Sequence, residues 1–345
     1  MSFSDGIADF RSDTVTRPTD AMRKAMAAAE VGDDVYGEDP TVRRLEEASA
    51  ELVGTEAALF VPSGTMGNQI AISVHTRPGD GLICARTAHV ALYEGGGAAA
   101  QSGVQIMSVD TPNGEISAAD VQSLTSSFDE HFPRPSLLTW ENTHNVSGGT
   151  LVPEPMMAAT GVVARNAGLA IHLDGARLFN ACAATGLSPD QYVRHVDSVQ
   201  FCLSKALGAP VGSIVAGSKD FVEEAHRRRK RFGGGMRQAG ILAAAGLLAL
   251  EHRSELVADH ALASDLAAGI NERFPGSVTA SPSNFVVVDE RSIEKQAGQF
   301  KSALEATAIK VGYIGPEKLR FVTHRNVDRV DVQRVLAVLD EVKAS

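Results

Sequence analysis

The stretch SVQFCLSKALG (residues 198–208) decides how this chain is read. Val199 to Leu203 is a short apolar run with β-formers at its start, and reads as a buried strand. It ends in Ser204-Lys205, and an Ala-Leu-Gly-Ala-Pro turn follows. An ammonium at the mouth of a buried strand is costly to desolvate. A neutral or covalently bound lysine escapes that cost, and Schiff-base chemistry needs such a lysine.

Outward from this strand, strand-like and helix-like segments alternate through the first two-thirds of the chain. EAALFVPSG (56–64), GLICART (81–87), VQIMSV (104–109), PSLLTWENT (135–143), LAIHLDGAR (169–177) and GSIVAGS (212–218) read as further strands. MGNQIAISVHTR (66–77) reads as a helix after the first of them. Another helix runs from Pro40 to Val53, with Asp39 as its N-cap and Val42, Leu45, Ala48 and Leu52 on one face. Ser117 starts a third, with Asp120 as capping-box partner. Such alternation predicts an α/β fold with a mostly parallel sheet wrapped by helices. The tail differs. A long helical stretch covers about 236–272. Short strands, a helical SIEKQAGQFKSALEATA (292–308) and a final helix then suggest a smaller α+β body. The division expected is a large body with an N-terminal arm, residues 1–250, and a small one, residues 251–345.

The 345 residues are 44% hydrophobic and 21% charged, enough for a full core. A net charge of −10 argues against nucleic acid or an anionic membrane surface as the main partner. The three cysteines lack metal-ligand spacing, and no metal is expected. No signal peptide or membrane span is apparent, and a reducing cytoplasm is the simplest setting.

In open parallel sheets, ligands sit outside the carboxyl ends of the strands. Ser63-Gly64-Thr65 lies there and opens a helix, which suits a phosphate, although an ordinary strand-to-helix turn looks the same. Asp174 and Arg177 follow another strand. They form either an ion pair capping a turn or a carboxylate that keeps a heterocyclic nitrogen protonated, as in pyridoxal phosphate (PLP) enzymes. Asp174 precedes Lys205 by about 30 residues, room for one crossover and the next strand. Ser204 could add a hydroxyl to a phosphate. His89 and His144 sit beyond strands too, each a structural hydrogen-bonder or a base working near neutral pH. The basic cluster HRRRKRFGGGMRQ (226–238) is a solvated helix face or an anion site, with Arg237 its best phosphate ligand. Arg320 pairs on the surface or grips a carboxylate.

Taken together, these segments resemble the low-specificity L-threonine aldolases, within the fold type I PLP-dependent enzymes. The resemblance is carried by DFRSDTVTRP (9–18), VGDDVYGEDPTV (31–42), PSGTMGN (62–68), AHVALYEGGG (88–97), ENTHN (141–145), HLDGARLFNA (172–181), LSKALGAPVGS (203–213) and GGGMRQAGILAAA (233–245). It is weaker toward the C-terminus, where LRFVTH (319–324) carries it. It implies a mostly parallel seven-stranded sheet, PLP as cofactor, and cleavage of β-hydroxy-α-amino acids such as L-threonine to glycine and an aldehyde. Other PLP chemistry, β-elimination above all, is the alternative. By the same resemblance, Lys205 is the Schiff-base lysine, Asp174 partners the pyridine nitrogen and His89 stacks on the ring. Gly64 and Thr65 cup the phosphate with main-chain donors. The residues themselves add Ser63, Ser204 and, across a subunit boundary, Arg237 as further phosphate ligands. Arg177 bears on the cofactor's phenolic oxygen or the substrate carboxylate. Ser12 and Arg320 hold that carboxylate, and His144 sits near the β-hydroxyl. Tyr36 lines the site from a neighbouring subunit of a homotetramer, a dimer of dimers.

Overall fold

The structure is a computed structural model that describes residues 6–126, 129–280, 282–293 and 299–344. Part of the helical stretch expected over 292–308 (residues 294–298) lies outside the described residues.

The chain begins with a two-residue strand, β1 (Ala8–Asp9). Seven strands then build the main sheet: β2 (Ala57–Val61), β3 (Gly81–Ala85), β4 (Gln105–Val109), β5 (Pro135–Glu141), β6 (Ala170–Asp174), β7 (Ser198–Cys202) and β8 (Ser213–Gly217). Their order is β2-β8-β7-β6-β5-β3-β4, and only β8 runs against the rest. Ten residues, Leu203–Gly212, join β7 to β8. That is too short for the crossover a parallel neighbour needs, so β8 folds back antiparallel. β6 and β7 are adjacent, with Asp174 opposite Gln200.

Helices cover both faces of this sheet, so its strands are apolar nearly throughout. In β2, Ala58 and Phe60 enter the main core, which also holds Trp140, Leu173 and Phe201. Leu59 and Val61 point the other way, into a second cluster with Ile70 and Val215. The expected caps form as read. Asp39 caps the helix Pro40–Val53, and Ser117 with Asp120 makes a capping box on the helix Ala118–Thr125.

The expected long helix over 236–272 is two helices, Gly240–Glu251 and Leu256–Arg273, separated by a 3₁₀ turn at His252–Glu255. The second passes from one core to another: Leu256 packs with the main core, and Leu262, Leu266 and Ile270 with a C-terminal one. The tail strands are β9 (Val278–Ala280), β10 (Phe285–Asp289), β11 (Ile309–Lys310), β12 (Gly312–Tyr313) and β13 (Lys318–Val322). Four of them form an antiparallel sheet, β12-β13-β10-β9.

The N-terminal arm does not pack with the large body alone. β1 pairs parallel with β11, and Ala8 and Phe10 belong to the C-terminal core, with the Phe10 ring edge-on to Phe321. The arm then crosses to the main sheet. Asp13 reaches Arg177, and Thr16 Oγ1 donates to the Lys205 carbonyl at 2.7 Å.

Candidate active site

A cavity of about 310 Å³ opens at the carboxyl ends of the parallel strands. Its lining gathers Ser63, Gly64, Thr65, His89, Asp174, Ser204 and Lys205, residues spread over 143 positions of sequence. Thr14, Asn68, Gln200 and Cys202 complete much of the wall. The first wall element is the helix Gly64–His75, which leaves β2 with Ser63 as N-cap; the Ser63 hydroxyl accepts from the Met66 N–H at 3.2 Å. The early N–H groups of such a helix have no intrahelical acceptor and attract an anion. Two glycines let the helix press against β7. A Cβ at Gly64 would stand 2.8 Å from Cys202 Sγ, and one at Gly67 2.6 Å from Gln200 Cγ.

Asp174, at the end of β6, is buried and meets this same helix. Its Oδ2 accepts from Asn68 Nδ2 at 2.8 Å and its Oδ1 from the Ala176 N–H at 3.1 Å. No cation lies within ion-pair distance of it among the described residues. Such a carboxylate has room for a charged N–H donor. His89 lines the cavity beside Asp174. Its Nδ1 meets Glu94 Oε1 at 2.9 Å, and Glu94 is itself buried and held by Asn68 and Gln69. Burial works against a charge on His89, but the Glu94 hydrogen bond and the field of Asp174 outweigh it and raise its pKa. Donor atoms of His89, Glu94 and Asp174 lie within 4.8 Å of one another, close enough to hold a metal ion. Between the two carboxylates, however, Asn68 Nδ2 already donates to both.

The remaining expected residues fall outside the cavity lining. Arg177 is buried and committed: its Nε and Nη2 grip Asp13 at 2.8 and 2.6 Å. Burial opposes the charge of Asp13, but Arg177 beside it holds the carboxyl far below its usual range. Arg320 is different. Its Nη1 donates to Asn145 Oδ1 and its Nη2 to the Arg11 carbonyl, while its Nε is buried without a partner. No carboxylate pairs with it among the described residues. Both guanidiniums stack on Phe285, at 4.8 Å for Arg177 and 5.6 Å for Arg320. Ser12 caps the turn Asp13–Val15 beside them.

His144 is fully buried behind the wall. Its Nδ1 is bound to Ser147 Oγ at 2.7 Å, and its unpartnered Nε2 faces Glu141 Oε2 at 3.9 Å. Glu141 in turn accepts from the His89 N–H at 2.7 Å. Tyr36 is 76% exposed. Arg237 is paired with Asp33 on the surface at 3.0 Å. Within one chain, neither touches the cavity.

A family model described as beta-eliminating lyase matches residues 9–291. The chain belongs to this family. Within it, the chain is 42% identical over 343 residues to low-specificity L-threonine aldolase 1 of Arabidopsis thaliana, covering 96% of this chain and 95% of the relative. It is 41% identical over 331 residues to the low specificity L-threonine aldolase of Escherichia coli K12, covering 95% and 97%. Among solved structures, Leishmania major threonine aldolase superposes with a TM-score of 0.83 at 22% identity, covering 97% of this chain and 99% of that one. A structure of SPT with PLP superposes with a TM-score of 0.75 at 18% identity, covering 98% and 87%. These neighbours share the fold type I architecture of this chain.

Sequence reasoning missed Asp13, Asn68, Glu94 and Gln200. All but Gln200 fall within the segments that carry the family resemblance. Asn68 and Gln200 are polar side chains in a mostly apolar helix and strand, while Asp13 and Glu94 lie in turns that carry no such signal.

Proposed function

We propose that this protein is a PLP-dependent aldolase of low specificity, cleaving L-threonine, L-allo-threonine and related β-hydroxy-α-amino acids to glycine and an aldehyde. The observation that carries the reading is the convergence of Lys205, Asp174, His89 and the Ser63–Thr65 helix start on one cavity, in a chain with full-length aldolase relatives. The donor set fits PLP. Main-chain N–H groups of Gly64 and Thr65, with the Ser63 and Ser204 hydroxyls, suit its phosphate. Asp174, lacking a cation, suits its ring nitrogen, and His89 suits its ring face. When bound through Lys205, PLP supplies an electron sink for the bond that breaks at Cα.

The chain's own residues do the rest. Arg320, a guanidinium without a carboxylate, binds the substrate carboxylate with Ser12 and so orients the Cα–Cβ bond. Arg177 contributes orientation through its lock on Asp13. His89 Nε2 takes the β-hydroxyl proton, while Glu94 holds the ring by Nδ1–H. His144 supports Glu141, and through it the His89 backbone. A hydroxyl read mainly by one acceptor leaves the β-carbon substituent loosely checked, so threo and erythro substrates are both accepted. Exposed Tyr36 and Arg237 support a homotetramer in which each site borrows from a neighbour. We place the enzyme in the cytoplasm.

The test is incubation of the purified protein with L-threonine and PLP. Glycine and acetaldehyde are expected. Ammonia with an oxo acid would point to the β-elimination that the family description names, and would overturn the aldolase reading.

A further inference from the structure

Behind the cavity wall runs a chain of buried hydrogen bonds whose direction can be worked out. Asn68 Nδ2 lies 2.8 Å from Glu94 Oε1 and 2.8 Å from Asp174 Oδ2. Ionised carboxylates only accept, so both amide protons of Asn68 are used there. Asn68 Oδ1 is left as an acceptor, and the atom facing it is His172 Nε2 at 3.1 Å. His172 must therefore carry its proton on Nε2. Fully buried, it stays neutral: burial, with His75 nearby, pushes its pKa down to about 3. Its Nδ1 then has to accept, and Ser198 Oγ at 2.9 Å is the donor. Having given its proton, Ser198 Oγ accepts from His75 Nε2 at 2.8 Å. Donation thus runs one way, from His75 through Ser198 and His172 to Asn68, and ends on two carboxylates.

Those carboxylates belong to different tasks. Asp174 faces the cavity alone, and Glu94 holds His89 by Nδ1. We propose that Asn68 is a positioning residue that ties Asp174 and the Glu94–His89 pair into one unit, its amide kept from flipping by His172. A flipped amide would set its oxygen against both carboxylates and its NH₂ against an imidazole N–H. One rigid group would then fix the ring-nitrogen partner and the ring-face partner relative to each other. The functional half of this inference rests on the PLP reading above; the hydrogen-bond direction does not.

The test compares wild-type holoenzyme with Asn68→Ala, His172→Gln and His172→Phe. PLP affinity, the pH midpoint of the visible band and the melting temperature are measured for each. Asn68→Ala and His172→Phe are expected to weaken PLP binding by about ten- to a hundredfold, and to move the band midpoint in the same direction. Glutamine keeps an N–H where Nε2 stood, so His172→Gln stays within about threefold of wild type. If phenylalanine prevents folding, Asn68→Ala and His172→Gln still decide. Wild-type affinity and midpoint in Asn68→Ala would overturn the proposal, as would His172→Gln behaving like Asn68→Ala. Imidazole nitrogen NMR shifts of the cofactor-free protein test the direction separately. His172 is expected as the Nε2–H tautomer at about pH 7. The Nδ1–H tautomer or a charged ring would overturn the chain itself. A wild type that binds no PLP, with the tautomer as expected, would instead remove only the cofactor reading.

Discussion

Two basic stretches of this chain end in opposite circumstances. In HRRRKRFGGGMRQ, the fold matches four of the five arginines that HRRRKR and the Gly-rich turn supply. Arg229 is buried and held by Asp34 at 2.7 Å and by the Phe60 carbonyl at 2.7 Å, while Arg237 pairs with Asp33 and Arg227 with Glu223. In and beside the strand-end cavity, the fold leaves charge incomplete. Lys205, Arg320 and Asp174 have no opposite charge within ion-pair distance among the described residues. A buried charge matched inside the chain serves architecture, because breaking the pair strands its partner. A charge left unmatched beside a cavity awaits a ligand. Arg177 belongs to the first kind although it stands beside the second, which is why we propose Arg320 as the carboxylate clamp.

The contrast breaks most sharply at Lys205. Lys205→Ala should lower aldolase turnover by three orders of magnitude or more, about 4 kcal/mol of transition-state stabilisation, with circular dichroism unchanged. Turnover near wild type would erase the distinction. Arg229→Ala should do the reverse. It costs about 3–5 kcal/mol of stability, read as a lower melting temperature, while turnover per bound PLP persists. Arg320→Ala should raise KM for threonine far more than it lowers melting, by about 2–3 kcal/mol in kcat/KM. An effect on kcat alone would move Arg320 out of substrate binding.

Glu46 sharpens the architectural side. Its carboxyl is pushed up to about 7 by burial, against the Phe60 N–H hydrogen bond and the Arg229 field. The folded protein thus keeps a proton that the unfolded chain releases near its ordinary value of 4.5. Stability therefore falls as pH rises through that window. Glu46→Gln should raise stability by about 1–2 kcal/mol at about pH 8 and by little at about pH 5. Equal gains at both would contradict the shift. The smallest effect is expected at Arg237. Its exposed pair with Asp33 is worth less than about 1 kcal/mol of stability, so Arg237→Ala should barely move the melting temperature. A loss of PLP affinity in the same protein would place Arg237 at a neighbour's phosphate.

What could be read in the sequence follows the range of the interactions. The strands, the Asp39 cap and the Ser117–Asp120 box depend on residues a few positions apart, and they form as read. Lys205 and Asp174 were legible because each ends an apolar run, and the crossover spacing put those runs side by side. The arm's pairing with the small body was not legible. β1 pairs with β11 some 300 residues away, and two-residue strands leave no periodic pattern. The break at His252–Glu255 has no proline or glycine to announce it. Asn68 and Glu94 looked like polar residues on ordinary helices and loops. Only the folded sheet turns them toward each other. The fold-back of β8 was present in the ten-residue connection, a length that no crossover can use.

The most direct measurement is borohydride reduction of the PLP-loaded protein followed by peptide mapping. The reduced pyridoxyl group is expected on the peptide containing Lys205, with Lys205→Ala protein unlabelled. A label on another lysine, or none on wild-type protein, would contradict the account.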